Sequence, residues 1–409
     1  METEMRSFIE KDTNAYWRAI VTLFLGSVAA FGAEYCLQPI IPVLAKEFNL
    51  MPATASLAMS FGTAGMAFAM IGIASFATRL ERKKTMTIAL GVAAVLAIAI
   101  AISSSFELIL GLRLCQGILL AGFPALAVAY INEEFDPKII GLVVGIYVGA
   151  NSLGGLSGRL LISTLTDFFS WRIGLGAAGA LYLLIAVAFW FGLPNPTKKI
   201  AAKKNGDNVL EGFKSVLRNK AVVTIYAIAF IIMGSFVCIY NYISYVFIAP
   251  PYNLSQTVVG MIFTMYLLGA VSSTVMGGLS DRYGNGKILC LGCIMMLVGT
   301  LITMGSPLIL KIIGLALFTF GFFGSHSTAC SWAGKIAKGD KARISSMYML
   351  FYYIGASVIG TVGGFFLSSY GWDGVALFIG SVLAIALLMA MRLTFSEFSL
   401  FHFNLHKVH

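Results

Sequence analysis

The chain has 409 residues, 58% of them hydrophobic and only 11% charged. A soluble domain carries about 25% charged residues, so this composition excludes a water-soluble fold of ordinary surface and points to an integral membrane protein. The net charge of +10 implies no nucleic-acid partner if its positive groups sort to one side of a bilayer. The six cysteines (Cys36, Cys115, Cys238, Cys290, Cys293, Cys330) all lie in apolar stretches, as buried thiols do, and Cys290-x-x-Cys293 stands alone inside a span, so neither a disulfide framework nor a metal site is expected.

In chain order, twelve stretches are long enough to cross a ~30 Å hydrocarbon core as helices of about 20 residues. They run over 17–40, 54–77, 85–104, 106–131, 139–165, 171–193, 221–248, 255–279, 287–304, 307–333, 342–367 and 371–394. Lipid demands that a spanning backbone satisfy its own hydrogen bonds, and none of these stretches alternates as a barrel strand does, so the expected fold class is an all-α membrane protein. Residues 1–16 include Glu2, Glu4, Arg6, Glu10, Lys11 and Asp12, and no small-residue cleavage site follows a short apolar core, so the first helix reads as retained. Of the 28 lysines and arginines, Lys46, Arg172 and Lys311 fall on one set of loops, Arg113 and Arg159 inside spans, and all others on the opposite set. That bias predicts cytoplasmic termini in a multi-pass bacterial inner or plasma membrane protein.

The polar stretch 194–220 carries Pro194, Pro196, Lys198-Lys199 and Lys203-Lys204 and reads as a cytoplasmic linker between six-helix bundles at 1–193 and 221–409, the second with a short tail. Its basic groups suit anionic headgroups of membrane lipids; a solvated loop obeying the same charge bias accounts for them equally well.

Two ionisable residues stand out inside the spans. A guanidinium deep in hydrocarbon costs a few kcal/mol on insertion scales, which makes Arg113 a working residue by default; the alternatives are snorkelling or bracing of a neighbouring backbone. Glu34, about 17 residues into the first helix at ~1.5 Å each, reaches a depth similar to that of Arg113 in the fourth. The pair suggests proton coupling, because a conformational change that separates them would let the acid take up a proton. A static ion pair or a hydrated Glu34 is the alternative. In the fifth helix Asn151, Gly154, Gly155 and Gly158 share one face, as small residues do where membrane helices approach closely, and Arg159 lies on the same seam. Packing explains that face; a smooth seam on which two helices rock adds a conformational role.

The two halves repeat. Ala74-Ser-Phe-Ala-Thr78-Arg79 aligns with Gly277-Gly-Leu-Ser-Asp281-Arg282, Tyr147-Val-Gly149-Ala150 with Tyr353-Ile-Gly355-Ala356, and Ser170-Trp171-Arg172 with Gly371-Trp372-Asp373, at offsets of 203, 206 and 201 residues. Six helices per half make a parallel repeat about an axis along the membrane normal, with a site expected at mid-membrane.

These residues resemble the major facilitator superfamily, and within it the twelve-helix bacterial proton-coupled efflux carriers, over the whole chain. Gly277-Gly-Leu-Ser-Asp281-Arg282-Tyr-Gly284 with Lys287 resembles the family's loop motif between the second and third helices of a half; the first-half copy keeps Arg79 but has Thr78 for the acid and Glu81 for a glycine. Arg113-x-x-Gln116-Gly117 with Ala121-Gly122 is similar to the helix-4 motif tied to proton coupling, which adds Gln116 to Arg113 and Glu34. Ala150-Asn151-Ser-Leu-Gly154-Gly155 resembles the helix-5 antiporter motif, with Asn151 where proline is usual. Tyr35-Cys-Leu-Gln38-Pro39 and Gly154-Gly-Leu-Ser-Gly158-Arg159 look closest to the branch labelled sugar or arabinose efflux permease.

The resemblance implies two six-helix pseudo-repeats and a gate latch at Asp281, Arg282 and Arg79, for which an ordinary turn is the alternative. It also implies a cavity lined by helices 1, 4, 7 and 10, whose candidate substrate contacts are Tyr35, Gln38, Tyr130, Tyr240, Asn241, Tyr242, Tyr245 and His326. No Gly-x-Ser-x-Gly elbow, phosphate-binding loop or His-Glu-x-x-His is present, so neither an enzyme nor direct use of ATP is expected, and no cofactor. The expected function is secondary active transport of a small-molecule substrate, a drug-like amphiphile or a sugar, by proton-coupled efflux from a monomer. A metabolite importer (proton symporter or facilitator) and a non-transporting receptor or scaffold are the alternatives.

Overall fold

The computed structural model describes residues 8–76, 80–196, 217–336 and 341–405. The spans are α1 (Asn14–Glu47), α2 (Pro52–Phe76), α3 (Arg82–Ala101), α4 (Phe106–Glu134), α5 (Ile140–Phe168), α6 (Trp171–Gly192), α7 (Lys220–Ile248), α8 (Gln256–Tyr283), α9 (Asn285–Ile302) and α10 (Leu308–Ile336). The last helical stretch, Lys341–Leu405, is broken at Gly371, where φ is 62° and ψ −155°. Its apolar part, Ile344–Phe395, holds 52 residues, about 78 Å of helix and far more than one crossing of a ~30 Å core. The break makes it two helices, α11 (341–370) and α12 (372–405), and the crossings among the described residues number twelve.

Helix starts follow from polar caps placed just before apolar runs. Thr13, Ser105, Ser170, Asn219 and Ser255 each accept a hydrogen bond from a backbone N–H in the first turn of the helix they precede. Such caps satisfy donors that lipid and protein interior cannot. Between α8 and α9 the chain turns at Gly284, with φ 94°, a value that favours glycine.

Three spans expected to be uninterrupted are not. The first leaves α-helical geometry at Tyr35 and resumes through a 3₁₀ turn, Gln38–Ile40, because Pro39 has no N–H to give and disfavours helical geometry at Gln38. The fourth is interrupted at Ala121, three residues before Pro124. In α8 a 3₁₀ segment covers Ile262–Tyr266.

The chain forms two compact units. One comprises the described residues of Met1–Ile40 and Phe61–Gly206 with Ser255–Phe263; the other comprises those of Ile41–Ser60, Asp207–Leu254 and Thr264–His409. Within the first, α1 and α5 pack backbone to backbone: a Cβ at Gly154 would lie 2.6 Å from Val28 Cα, and one at Gly158 2.7 Å from Gly32 Cα. Within the second, α7 and α11 do the same, a Cβ at Gly355 falling 2.7 Å from Phe230 Cα. Ser60 Oγ and Thr361 Oγ1 share a hydrogen bond of 2.7 Å in that unit.

Candidate functional site

The interruption of α1 creates the site. A helix that stops leaves its last carbonyls without intrahelical donors and a partial negative charge at that end. Gly32 O is satisfied by Cys36 N; the next two carbonyls receive Arg113. Its Nη1 donates to Ala33 O at 3.1 Å and its Nη2 to Glu34 O at 2.6 Å. Nη1 also donates to Gln116 Oε1, one turn on, and Gln116 Nε2 donates to Ala93 O of α3 at 2.8 Å. Arg113 and Gln116 together thus tie α4 to α1 and α3.

It is also beside the acid. Arg113 Nη2 lies 3.9 Å from Glu34 Oε1, both side chains fully buried. Among the described residues, none donates a hydrogen bond to either carboxylate oxygen of Glu34. The ion pair is therefore a charge contact, while three hydrogen bonds of the guanidinium go to neutral oxygens. Gly62 of α2 makes room for both: a Cβ there would lie 2.5 Å from Arg113 Nη2 and 3.1 Å from Glu34 Oε1.

A second buried guanidinium lies in the same unit. Arg159 donates from Nε and Nη2 to Gln38 Oε1 at 2.9 and 2.7 Å, and from Nη1 to Gly155 O at 2.7 Å. Its Cζ stands 4.6 Å from the ring centroid of Tyr35 and 4.9 Å from that of Phe263. The structure thus gathers Glu34, Arg113 and Gln116 in one cluster and Tyr35, Gln38, Gly155 and Arg159 in another, joined through the end of α1. Asn151 accepts from Ser27 Oγ on the α1 seam; Gly154 and Gly158 meet the α1 backbone, whereas Gly155 faces the side chain of Arg159.

The remaining candidates are dispersed. Tyr130 donates to Pro194 O at 3.0 Å, at the linker end of α4. In the second unit Tyr240 and Thr319 share a 2.6 Å hydrogen bond. Tyr242 bonds Ser56 Oγ and Thr361 O, Tyr245 donates to Ile41 O at 3.4 Å, and Asn241 is fully buried. His326 Nδ1 lies 3.0 Å from Tyr348 Oη, and its ring centroid is 4.7 Å from that of Tyr352.

At the linker end, Asp281 pairs with Lys335 at 3.1 Å, while the Arg282 guanidinium stands 5.3 Å from the Tyr283 ring; Arg79 lies outside the described residues. The corresponding pair of the first unit is Arg82–Glu133, at 2.8 and 3.2 Å. Sequence reasoning missed Lys335, Arg82, Glu133 and Gly62. Gly62 carried a signal, since Gly62 and Gly65 share a face of α2 three residues apart.

The sequence model of the Major Facilitator Superfamily matches residues 23–250 and 227–399. The chain is 37% identical over 383 residues to YybF of Bacillus subtilis, an uncharacterized MFS-type transporter, covering 93% of this chain and 94% of that one. It is 38% identical over 391 residues to the inner membrane transport protein YnfM of Escherichia coli, covering 96% and 94%. Among solved structures, a bacterial homolog of the human lysosomal transporter Spinster, inward-facing and occupied, superposes with a TM-score of 0.79 at 14% identity over 94% of this chain and 97% of that one, a likeness of fold. A twelve-crossing helical bundle built as a repeat, matched along nearly its whole length by such relatives, belongs to the major facilitator superfamily and is a multi-pass membrane transporter.

Proposed function

We propose that this chain is a proton-coupled secondary carrier that exports a small organic solute by alternating access, with Glu34 as the proton-carrying group. One observation carries the reading: a fully buried carboxylate accepts no hydrogen bond from the described residues and faces an arginine that donates to the neutral oxygens of Ala33, Glu34 and Gln116. Protonating Glu34 breaks no hydrogen bond, and Arg113 keeps its place on the α1 carbonyls. Moving the end of α1 away from α4 exchanges the charge contact for a proton. The α1–α5 glycine seam gives α1 a face along which to move, and the pairs Arg82–Glu133 and Asp281–Lys335 act as linker-end latches. The sorting of Lys and Arg supports cytoplasmic termini.

The test is the purified chain reconstituted in vesicles with an imposed pH gradient, solute and proton movement being recorded together. Wild type is expected to couple the two, and Glu34→Gln to keep solute exchange while losing its response to the gradient. Gradient-driven accumulation by Glu34→Gln at the wild-type level overturns the assignment. Failure of the wild type to move any solute of a broad panel favours a receptor or scaffold instead.

A further inference from the structure

Proton carriage gives Arg159 no task, yet burying a guanidinium is costly. Its Nε and Nη2 converge on a single atom, the amide oxygen of Gln38. That edge of arginine is the one a carboxylate grips with two parallel, charge-assisted bonds, and here a neutral amide occupies it. Beside it the Tyr35 ring covers the guanidinium while keeping part of its own surface uncovered. Charge balance points the same way. Setting aside Arg82 and Glu134 at the linker end, the buried charged residues among the described residues of the first unit are Glu34, Arg113 and Arg159, and those of the second unit add Lys311, another cation.

Resting on the proton-coupled reading, we infer that Arg159, Gln38 and Tyr35 form a receptor for the carboxylate of an organic anion. The solute displaces the Gln38 amide from the Nε/Nη2 edge of Arg159 and lays its apolar body on the Tyr35 ring. An anion bound there places a second negative charge near Glu34, whose carboxylate interacts with both Arg113 and Arg159. A proton on Glu34 restores the charge of the empty site. Proton and anion therefore bind together and cross together without net charge, and export runs when the gradient of the acid exceeds that of the proton. Among the described residues, the titratable groups around Glu34 are Arg113 of α4, Arg159 of α5, Cys36 on its own helix and, next to Cys36, Tyr182 of α6; α2 presents Gly62.

The experiment uses the full chain and a panel of aromatic carboxylates (benzoate, phenylacetate, 4-hydroxybenzoate), each with its amide and its amidine. Binding is read as a thermal shift of the purified protein, and movement as counterflow in vesicles with leak through protein-free vesicles subtracted. A carboxylate is expected to bind about 10-fold or more tighter than its amide, with the amidine not competing. Gln38→Glu, which fills the arginine edge with an internal carboxylate, is expected to abolish binding of the acids while keeping the wild-type melting temperature or raising it. Gln38→Ala, which removes the placeholder, is expected to strengthen it. An amide or amidine bound as tightly as its acid, a panel in which no carboxylate binds, or Gln38→Glu binding acids as wild type does overturns the anion receptor and leaves proton coupling standing. Acid binding that follows these expectations while transport ignores pH and the Glu34→Gln change overturns proton coupling and leaves the receptor standing.

Discussion

The two units repeat one architecture but not one chemistry. Thr13 and Asn219, 206 residues apart, cap α1 and α7; Glu34 and Tyr240 are separated by the same interval. In the first unit the α1 position carries a buried acid against a guanidinium of α4. In the second the α7 position carries a phenol that shares a hydrogen bond with Thr319 of α10, walled by the rings of Phe236 and Tyr266. Hydroxyls of this kind neither gain nor lose a proton near neutral pH, so the carboxyl proposed as proton carrier in the first unit meets a phenol, not an acid, at the matching position of the second. What the repeat preserves is the glycine seam, because backbone contact tolerates no side chain; what it varies is the polar pair set between the helices.

The comparison breaks most sharply at Arg113. Arg113→Ala strands Glu34 without its counter-charge and removes the guanidinium donors from two carbonyls of α1, leaving Ala33 O with the weak Cys36 thiol donor; losing one partner of a buried pair costs about 3–5 kcal/mol. Gradient-driven transport is expected to vanish and the melting temperature to fall. Glu34→Gln added to Arg113→Ala is expected to recover part of the stability and none of the coupling, measured by thermal melting and vesicle transport.

Gly62→Ala is next in size. Its Cβ would press on both members of the pair, so coupling is expected to drop about 10-fold or more for a ~1.4 kcal/mol displacement, with α2 otherwise intact. Gly111→Ala, on the same helix as Arg113 and with open space at its Cβ, is the control and is expected to leave transport unchanged. Equal effects of the two substitutions refute a steric role for Gly62.

In the second unit, Tyr240→Phe removes one hydrogen bond, worth about 0.5–1.5 kcal/mol. It is expected to lower the melting temperature by a few degrees and to leave the proton-to-solute ratio of transport at the wild-type value. A changed ratio would mean that the phenol layer takes part in coupling and that the division between the units is wrong.

Much of this was legible in the sequence. Twelve apolar stretches of crossing length, a one-sided distribution of Lys and Arg and three offsets near 200 residues define the fold, since each reflects a constraint lipid imposes on every residue of a span. The near-equal depth of Glu34 and Arg113 followed from helical rise. Their bonding did not, because it depends on where α1 stops: Pro39 was visible, but not that Ala33 O and Glu34 O would be handed to an arginine 80 and 79 residues away. The partners of Asp281 and Arg82 escaped for a similar reason. A run of charges at a helix end names the sign of each group and leaves its neighbour to be set by how helices far apart in sequence converge.

The smallest effect is expected at the linker end, where the comparison can be tested by exchanging charges. Glu133 and Lys335 stand one residue before the last of α4 and α10, so the repeat places a charge at the same point and reverses its sign: Arg82 answers Glu133, Asp281 answers Lys335. The second pair is open to solvent, with side chains 53% and 75% exposed, whereas Arg82 is 6% exposed. Exposed pairs contribute about 0–1 kcal/mol and are screened by salt. Lys335→Ala is therefore expected to change the melting temperature by a degree or two at most and to shift transport rate modestly at low ionic strength, the shift fading as salt is added. The double change Asp281→Lys with Lys335→Asp keeps the attraction and reverses its sense, and is expected to restore the rate. If the reversed pair restores nothing while each single change already abolishes transport, the two residues act through partners other than each other, and the linker ends of the two units do not perform the same latching role.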